Sequence, residues 1–272
     1  MPLLDGPLLL VGGGKMGHAL LEGWLSHGLD RKQVAVVDPD AGRRGHFIER
    51  HIVAVADPAE LPPGPPPEAV VLAVKPQMMA GALPHYRERL GADTFVLSIA
   101  AGKSIASFEE AFRPGIAVIR AMPNTPAAVR RGVTVLCANA SATQAQRRKA
   151  EGLMAAVGEV HWIDDEELMH AVTAVSGSGP AYVFHLIEAM AAAGVEAGLS
   201  PELAMKLARG TVIGAGALAA DDPTSAEQLR VNVTSPAGTT AAALEVLMGP
   251  EGLGKMMTKA VAQAHRRSRE LA

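Results

Sequence analysis

Short apolar runs recur through the first half of the chain: LLLVG at Leu8 to Gly12, VAVVD at Val34 to Asp38, AVVLAVKP at Ala69 to Pro76, TFVLSIAAG at Thr94 to Gly102, IAVIRAMP at Ile116 to Pro123 and VTVLCA at Val133 to Ala138. Each is nearly continuous rather than alternating, as a strand covered on both faces requires. Helix-like segments separate them, so the pattern predicts βαβ units and a parallel sheet. After about Asp164 the strand-like runs stop and Ala-rich stretches of helical length take over: Ala181 to Ala197, Pro201 to Ala219 with Ser200 as its cap, Thr239 to Met248, and Gly252 to Glu270. The change predicts two domains, residues 1–162 and 163–272. LPPGPPP at Leu61 to Pro67 cannot hold a helix, because proline lacks the N–H donor and crowds the preceding turn, and it reads as a rigid surface loop.

Composition narrows the function classes. The chain of 272 residues is 49% hydrophobic, which provides a sizeable core and excludes a disordered polymer. Only 3% of residues are aromatic, so that core is made of aliphatic side chains, Met and Ala. A net charge of -3 leaves no positive field for a phosphate backbone, and nucleic acid is not an expected partner. The single Cys137 precludes an internal disulfide and fits a reducing compartment. MPLLDGPLLLVGGG has no basic leader region, and its apolar run is too short to span a bilayer, so a cytoplasmic protein without membrane contact is expected.

Between the first predicted strand and a helix beginning near Lys15 stands GGGKMG, a G-x-G-x-x-G pattern at Gly12, Gly14 and Gly17. The first glycine permits the tight turn, the second a close backbone approach to a pyrophosphate, and the third helix–strand packing. The helix start then offers free N–H groups and the positive end of its dipole to phosphate. Asp38, at the end of the second strand, is placed to accept hydrogen bonds from an adenosine ribose, which favours NAD(H). Arg43 and Arg44 stand close enough to pair with a 2′-phosphate instead, so NADP(H) and NAD(H) both stay open. On the ribose reading, Asp38→Ser shifts preference toward NADP(H).

Two loops in the second half gather hydroxyl and amide groups at helix starts. One carries Ser176, Gly177, Ser178, Gly179 and Pro180; the other carries Asn232, Thr234, Ser235, Gly238, Thr239 and Thr240. Either could hold a small carboxylate. His170, His185 and Cys137 read as ordinary structural residues, DDEE at Asp164 to Glu167 as a helix start rather than a metal site, and AHRRSRE near the end as a solvated helix terminus.

The glycine loop, AVKPQ at Ala73 to Gln77, SIAAG at Ser98 to Gly102, RAMPNTPAAV at Arg120 to Val129, SGSGPAY at Ser176 to Tyr182 and SPAGTT at Ser235 to Thr240 together resemble the pyrroline-5-carboxylate reductase family, in order and over nearly the whole chain. One position departs: that last loop usually reads SPGGTT, and Ala237 replaces its first glycine, a methyl that a negative φ would tolerate. The resemblance implies an N-terminal Rossmann domain with a parallel sheet, followed by an all-α dimerisation domain, with dimers often assembled into decamers. It implies reduction of 1-pyrroline-5-carboxylate to L-proline by NADPH or NADH, the last step of proline biosynthesis. Cofactor contacts carried over are Gly12, Gly14, Lys15, Met16, Gly17, Ala73, Val74 and Lys75, with Met122 and Asn124 near the nicotinamide. Substrate contacts carried over are Asn232, Ser235, Gly238, Thr239 and Thr240, with Ser178 nearby; Thr240 and Ser178 are the catalytic candidates.

The absence of Lys from Ala181 to Ala197 suits imine rather than carbonyl reduction, since a developing alkoxide needs a proton donor and an iminium does not. Two other readings are a related hydroxyacid or ketoacid dehydrogenase and a non-catalytic NAD(P)-binding regulator.

Overall fold

The computed structural model describes residues 2–272. By contacts the chain divides into two compact units, residues 1–177 together with 265–272, and residues 178–264. The first unit thus carries residues 163–177 and the end of the last helix in addition to the portion expected from the strand pattern.

The first unit is built on eight strands: β1 (Leu8–Val11), β2 (Val34–Val37), β3 (Val53–Val55), β4 (Ala69–Leu72), β5 (Phe95–Ser98), β6 (Ala117–Met122), β7 (Gly132–Ala138) and β8 (Gly158–Trp162). Their order is β3-β2-β1-β4-β5-β6-β7-β8, and every pair is parallel except β6 with β7. The sheet is thus parallel, as expected, apart from that one pair. Residues 123–131 join the two strands without a crossover helix, and such a short return leaves only the antiparallel pairing. Helices α1 (Lys15–Ser26), α2 (Ala41–Ile48), α3 (Pro76–Ala82), α4 (Ile105–Ala111), α5 (Gln144–Ala155) and the short α6 (Met169–Val172) complete the unit.

Because successive strand residues point to opposite faces, each run supplies two cores. Leu8, Leu10, Val71, Phe95, Leu97 and Ile119 pack on one face with Leu20, Leu21 and Trp24 of α1 and Leu153 of α5. Leu9, Val11, Val70, Leu72, Val96 and Val118 pack on the other with Phe108 and Phe112. Trp24 is fully buried, and its indole N–H donates to the Leu153 carbonyl at 2.8 Å, so the ring joins α1 to α5 without an orphaned donor.

The second unit holds α7 (Gly179–Glu196), α8 (Pro201–Asp221), α9 (Ala226–Asn232), α10 (Thr239–Leu247) and most of α11 (Leu253–Glu270). Gly198, just past the cap of α7, stops the helix with a φ of +102° that only glycine adopts freely; the Gly198 N–H donates to the Val195 carbonyl and the Leu199 N–H to that of Gly194. Ser200 then accepts from the Leu203 N–H and starts α8. A methyl on Gly194 would lie 3.2 Å from Cβ of Ala204, so α7 and α8 meet through small residues. Within this unit the only buried apolar side chains are Ala191, Ala204 and Ala208, while Phe184, Ile213 and Val246 are 60%, 63% and 75% exposed. A lone chain leaves most of this apolar surface in water, as a surface meant for association does.

Candidate functional site

β1 lies between β2 and β4, so the sheet's strand order reverses at the β1–β4 boundary, where ligands of open α/β sheets bind. The glycine loop leaves β1 at this point. Gly12 has φ +100°, donates to the Val37 carbonyl at 2.8 Å, and leaves no room for a side chain, since its Cβ would meet the Ala73 carbonyl at 2.7 Å. Gly17 touches the loop behind it, where a Cβ would strike the Gly12 oxygen at 2.1 Å. Gly14, by contrast, faces open space with no atom within 4 Å of an added Cβ. The loop is therefore closed at both ends and open in the middle, above the start of α1, and these residues fit the pyrophosphate of a dinucleotide.

The structure brings Ala73 and Val74 against this loop, with Val74 Cγ1 3.0 Å from the position of a Gly12 Cβ. Lys75 follows as the exposed residue before α3, whose first position is Pro76. Met16 is half-buried and packs against the core, while Lys15 is exposed at the helix start. Gly13, the middle glycine of the triplet, has a packing role the sequence reading missed: a Cβ there would lie 2.4 Å from the Phe47 ring.

Asp38 is engaged otherwise than its position in the sequence suggests. Its carboxylate is buried, with Oδ2 accepting from the Gly13 N–H at 2.7 Å and Oδ1 from the Asp40 N–H at 2.9 Å. Both oxygens are thereby turned onto the backbone and away from solvent. Asp38→Ala frees the loop rather than altering ribose recognition, so it should weaken NADH and NADPH together by roughly tenfold, the value of one charge-assisted hydrogen bond. Fluorescence titration with each dinucleotide checks this; a reversal of preference would restore the ribose role.

MPNTP meets Ser176 and Gly177 within the first unit. Asn124 is buried, accepts from the Val133 N–H at 2.9 Å, and donates to the carbonyl and hydroxyl oxygens of Ser176, both at 3.3 Å. Met122 lies under the same turn, its Sδ 3.6 Å from where a Gly177 Cβ would stand. The amide of Asn124 thus holds the chain at Ser176. Beneath it, Arg120 of β6 is buried and pairs with Glu166 at 2.5 Å, and the same carboxylate oxygen accepts from the Ile105 N–H at the start of α4. DDEE is therefore more than a helix start. Neighbouring Glu167 pairs with Arg269 at 2.8 Å, a bond that holds its carboxyl below the usual range. His170 shares a 3.0 Å hydrogen bond with Ser268, and burial lowers its pKa. The terminal segment, expected to be solvated throughout, accordingly has Ser268 buried. Among the described residues no group of three or more His, Cys, Asp or Glu is arranged to hold a metal.

In the second unit Ser178 precedes α7 without capping it through its hydroxyl. Asn232 ends α9 and accepts from Gln228 at 2.8 Å. Ser235, Gly238, Thr239 and Thr240 lie within one turn and the first positions of α10, and the Gly238 N–H donates to the Ser235 carbonyl at 3.1 Å. Ser235, Thr239 and Thr240 are exposed, which leaves their hydroxyls and the free N–H groups of α10 open to an anionic ligand.

Ala237 adopts φ +55°, so the negative φ that would make its methyl harmless is not the one the turn uses. A left-handed non-glycine residue costs roughly 1–2 kcal/mol. Ala237→Gly removes that strain against the extra chain entropy of glycine, and should stabilise the protein by up to about 1 kcal/mol. Thermal unfolding at fixed protein concentration checks it, an unchanged or lower midpoint counting against strain at this residue.

Comparison with known proteins agrees with the two halves of this description. The family model for pyrroline-5-carboxylate reductase dimerisation matches residues 166–271, and one described as NADP oxidoreductase, coenzyme F420-dependent, matches residues 8–102. A pyrroline-5-carboxylate reductase of Pseudomonas aeruginosa is 39% identical, over 97% of this chain and 96% of its own. The structure of a pyrroline-5-carboxylate reductase from Coxiella burnetii superposes with a TM-score of 0.92 at 34% identity, covering 99% of both chains. A pyrroline carboxylate reductase of Plasmodium falciparum, solved with NADP bound, gives 0.83 at 28% identity over 98% of both. With a two-faced nucleotide-type sheet, a polar loop opening α10 and close relatives along its full length, the chain belongs to the pyrroline-5-carboxylate reductase family.

Proposed function

We propose that this protein reduces 1-pyrroline-5-carboxylate to L-proline with NADPH or NADH, the closing step of proline biosynthesis. The observation that carries the reading is the coexistence of an open glycine loop at the sheet's reversal point with a free hydroxyl-rich turn at the start of α10. Gly12, Gly14, Lys15, Met16 and Gly17 hold the cofactor's phosphates, with Ala73, Val74 and Lys75 alongside and Met122 and Asn124 shaping the nicotinamide end. The bound nicotinamide supplies the hydride.

The chain's own groups hold and polarise the imine. N–H groups at the start of α10 with Ser235, Gly238 and Thr239 take the carboxylate, and Asn232 borders them. Thr240 Oγ accepts a hydrogen bond from the protonated ring nitrogen. An iminium carbon accepts hydride without an acid beside it: the C=N electron pair returns to nitrogen, giving a neutral amine that keeps its proton and takes a second from solvent to become the ammonium of L-proline. Neutral donors and acceptors suit this step, because a fixed cation would repel the iminium. Ser178 borders the reacting ring from the start of α7.

Residues 1–162 serve the cofactor and 163–272 serve substrate and dimerisation. The exposed apolar surface of α7, α8 and α10 is buried against a second copy, with dimers joining into a decamer. α8 is the one helix among the described residues long and apolar enough to cross a membrane by length and composition; it lies inside the matched dimerisation segment, and its apolar surface belongs to that interface in a cytoplasmic protein. Single-turnover oxidation of NADPH and NADH with the cyclic imine tests the activity, and hydroxy or keto acids reacting in its place would favour a different dehydrogenase. A monomer in sedimentation at micromolar concentration would overturn the dimer.

A further inference from the structure

Asn124 stands at the cap position of a short 3₁₀ turn, Thr125–Val129, where an asparagine ordinarily accepts a free N–H of the helix it precedes; its side chain makes no such bond. It is 9% exposed, and both ends of its amide reach other segments of the first unit. Oδ1 accepts from the Val133 N–H at 2.9 Å. Met122 of β6 lies opposite Val135 of β7, so Val133 is the residue that would face Asn124 if the ladder ran two residues further. The side chain continues the pairing where the main chain leaves off.

At its other end Nδ2 donates to the Ser176 carbonyl and hydroxyl, both at 3.3 Å. That carbonyl needs an outside donor. Ser176 lies in the π-helical turn Thr173–Gly177, a widened turn of the kind found at functional sites. Four residues on, where an α-helix would supply the N–H, stands Pro180, which has none. Five residues on, where a π-helix would supply it, Ala181 donates to the Ser178 carbonyl at 3.0 Å instead. The Ser176 carbonyl thus lacks both of its regular helical partners, and Asn124 answers it from 52 positions away in the sequence.

We propose that Asn124 is a positioning residue for hydride transfer: it ties the turn after β6 to the π-turn at Ser176, fixing Met122 and the Ser176–Gly177 backbone at the nicotinamide end without itself touching the cofactor. The inference rests on the assignment of that end of the first unit to the nicotinamide. The spacing so held is close, with Met122 Sδ 3.6 Å from where a Gly177 Cβ would stand. Transfer between two carbons is steep in distance, and a misplacement of about 1 Å can cost on the order of 100-fold in rate. Dinucleotide affinity should change far less, because the phosphates are assigned to the glycine loop, which Asn124 does not support.

The test compares variants of the full-length protein by steady-state and single-turnover kinetics with the cyclic imine, dinucleotide titration and thermal unfolding. Asn124→Asp keeps the acceptor for Val133 and loses the donor to Ser176; Asn124→Leu loses both at similar volume. Pro180→Ala returns a main-chain N–H to the Ser176 carbonyl, and is made alone and together with Asn124→Leu. In both Asn124 variants kcat should fall by about 10- to 100-fold, with KM for the imine and Kd for the dinucleotide within about threefold. With NAD(P)H deuterated at the transferred position, the isotope effect on kcat should then equal that of the single turnover, as expected when hydride transfer limits the rate. Adding Pro180→Ala to Asn124→Leu should restore part of the lost thermal midpoint but not kcat, relative to Pro180→Ala alone, because the carbonyl is satisfied while the tie to the turn after β6 is still missing. Recovery of kcat along with the midpoint overturns the inference and reduces Asn124 to a partner for one carbonyl. A Kd that rises in step with the fall in kcat also overturns it, and makes Asn124 a cofactor contact. So does a kcat within about threefold of the unaltered protein in Asn124→Asp, the variant that decides the matter should Asn124→Leu fail to fold. Binding of dinucleotide without any turnover of the imine by the unaltered protein overturns the assigned activity, and the inference with it.

Discussion

Replacing Thr240 by Ala should lower kcat/KM for 1-pyrroline-5-carboxylate by about 100-fold while NAD(P)H affinity stays within about twofold, a loss typical of removing one positioned polar partner at a reacting centre. Thr240 is the second residue of α10 and is exposed, so its hydroxyl has no structural duty in the chain that the substitution would disturb. The loss should fall mainly on kcat if the bond orients the ring for hydride transfer, and on KM if it only holds the bound substrate. Thr240→Ser retains the hydroxyl and should keep most of the activity. Steady-state kinetics with the imine, beside dinucleotide titration of the same preparations, separates these effects; near-normal turnover by the Ala variant would remove Thr240 from the mechanism.

The largest effect on stability is expected at Glu166. Its carboxylate neutralises Arg120, whose side chain is 8% exposed, and accepts the first N–H of α4. Glu166→Ala strands a buried cation and a backbone donor together, a loss on the order of 3–5 kcal/mol. For a protein of this size that corresponds to a fall of roughly 10 °C in the thermal midpoint. Replacing both partners, as in Arg120→Met with Glu166→Leu, removes the charge along with its counter-ion and should recover much of the loss. Scanning calorimetry at one heating rate and concentration provides the comparison, and a Glu166→Ala midpoint equal to that of the unaltered protein would show that the ion pair contributes nothing.

The strands that carry the glycine loop and the AVKP segment were legible because each is buried on both faces and its chemistry is local. β3 and β8 escaped that reading for a physical reason: they are the two edges of the sheet, and the GEVHW of β8 alternates between half-buried and exposed positions instead of forming an apolar run. At the site, spacing alone pointed to Gly12 and Gly17: Gly17 answers a clash within its own loop, and Gly12 a positive φ and the approach of the Ala73 carbonyl. It could not identify what Asp38 does, because the same residue beyond β2 serves either a ribose or a backbone N–H, and only folding decides which. Arg120 and Glu166 lie 46 positions apart in the sequence, with nothing in either neighbourhood to announce the other. The left-handed Ala237 was hidden similarly, since an alanine in SPAGTT carries no mark of the φ imposed on it.

The last turns of α11 belong with the sheet: Ser268 reaches His170, Arg269 reaches Glu167, and the Leu271 carbonyl abuts Gly102, where a Cβ would lie 2.7 Å from it. For a chain emerging from a ribosome this sets an order of events. All eight strands are available once residue 162 is free, yet the SIAAG turn and α6 find their final partners only after the final helix has been made. The nucleotide-binding unit is thus begun first and finished last, and no single cut in the gene releases it whole.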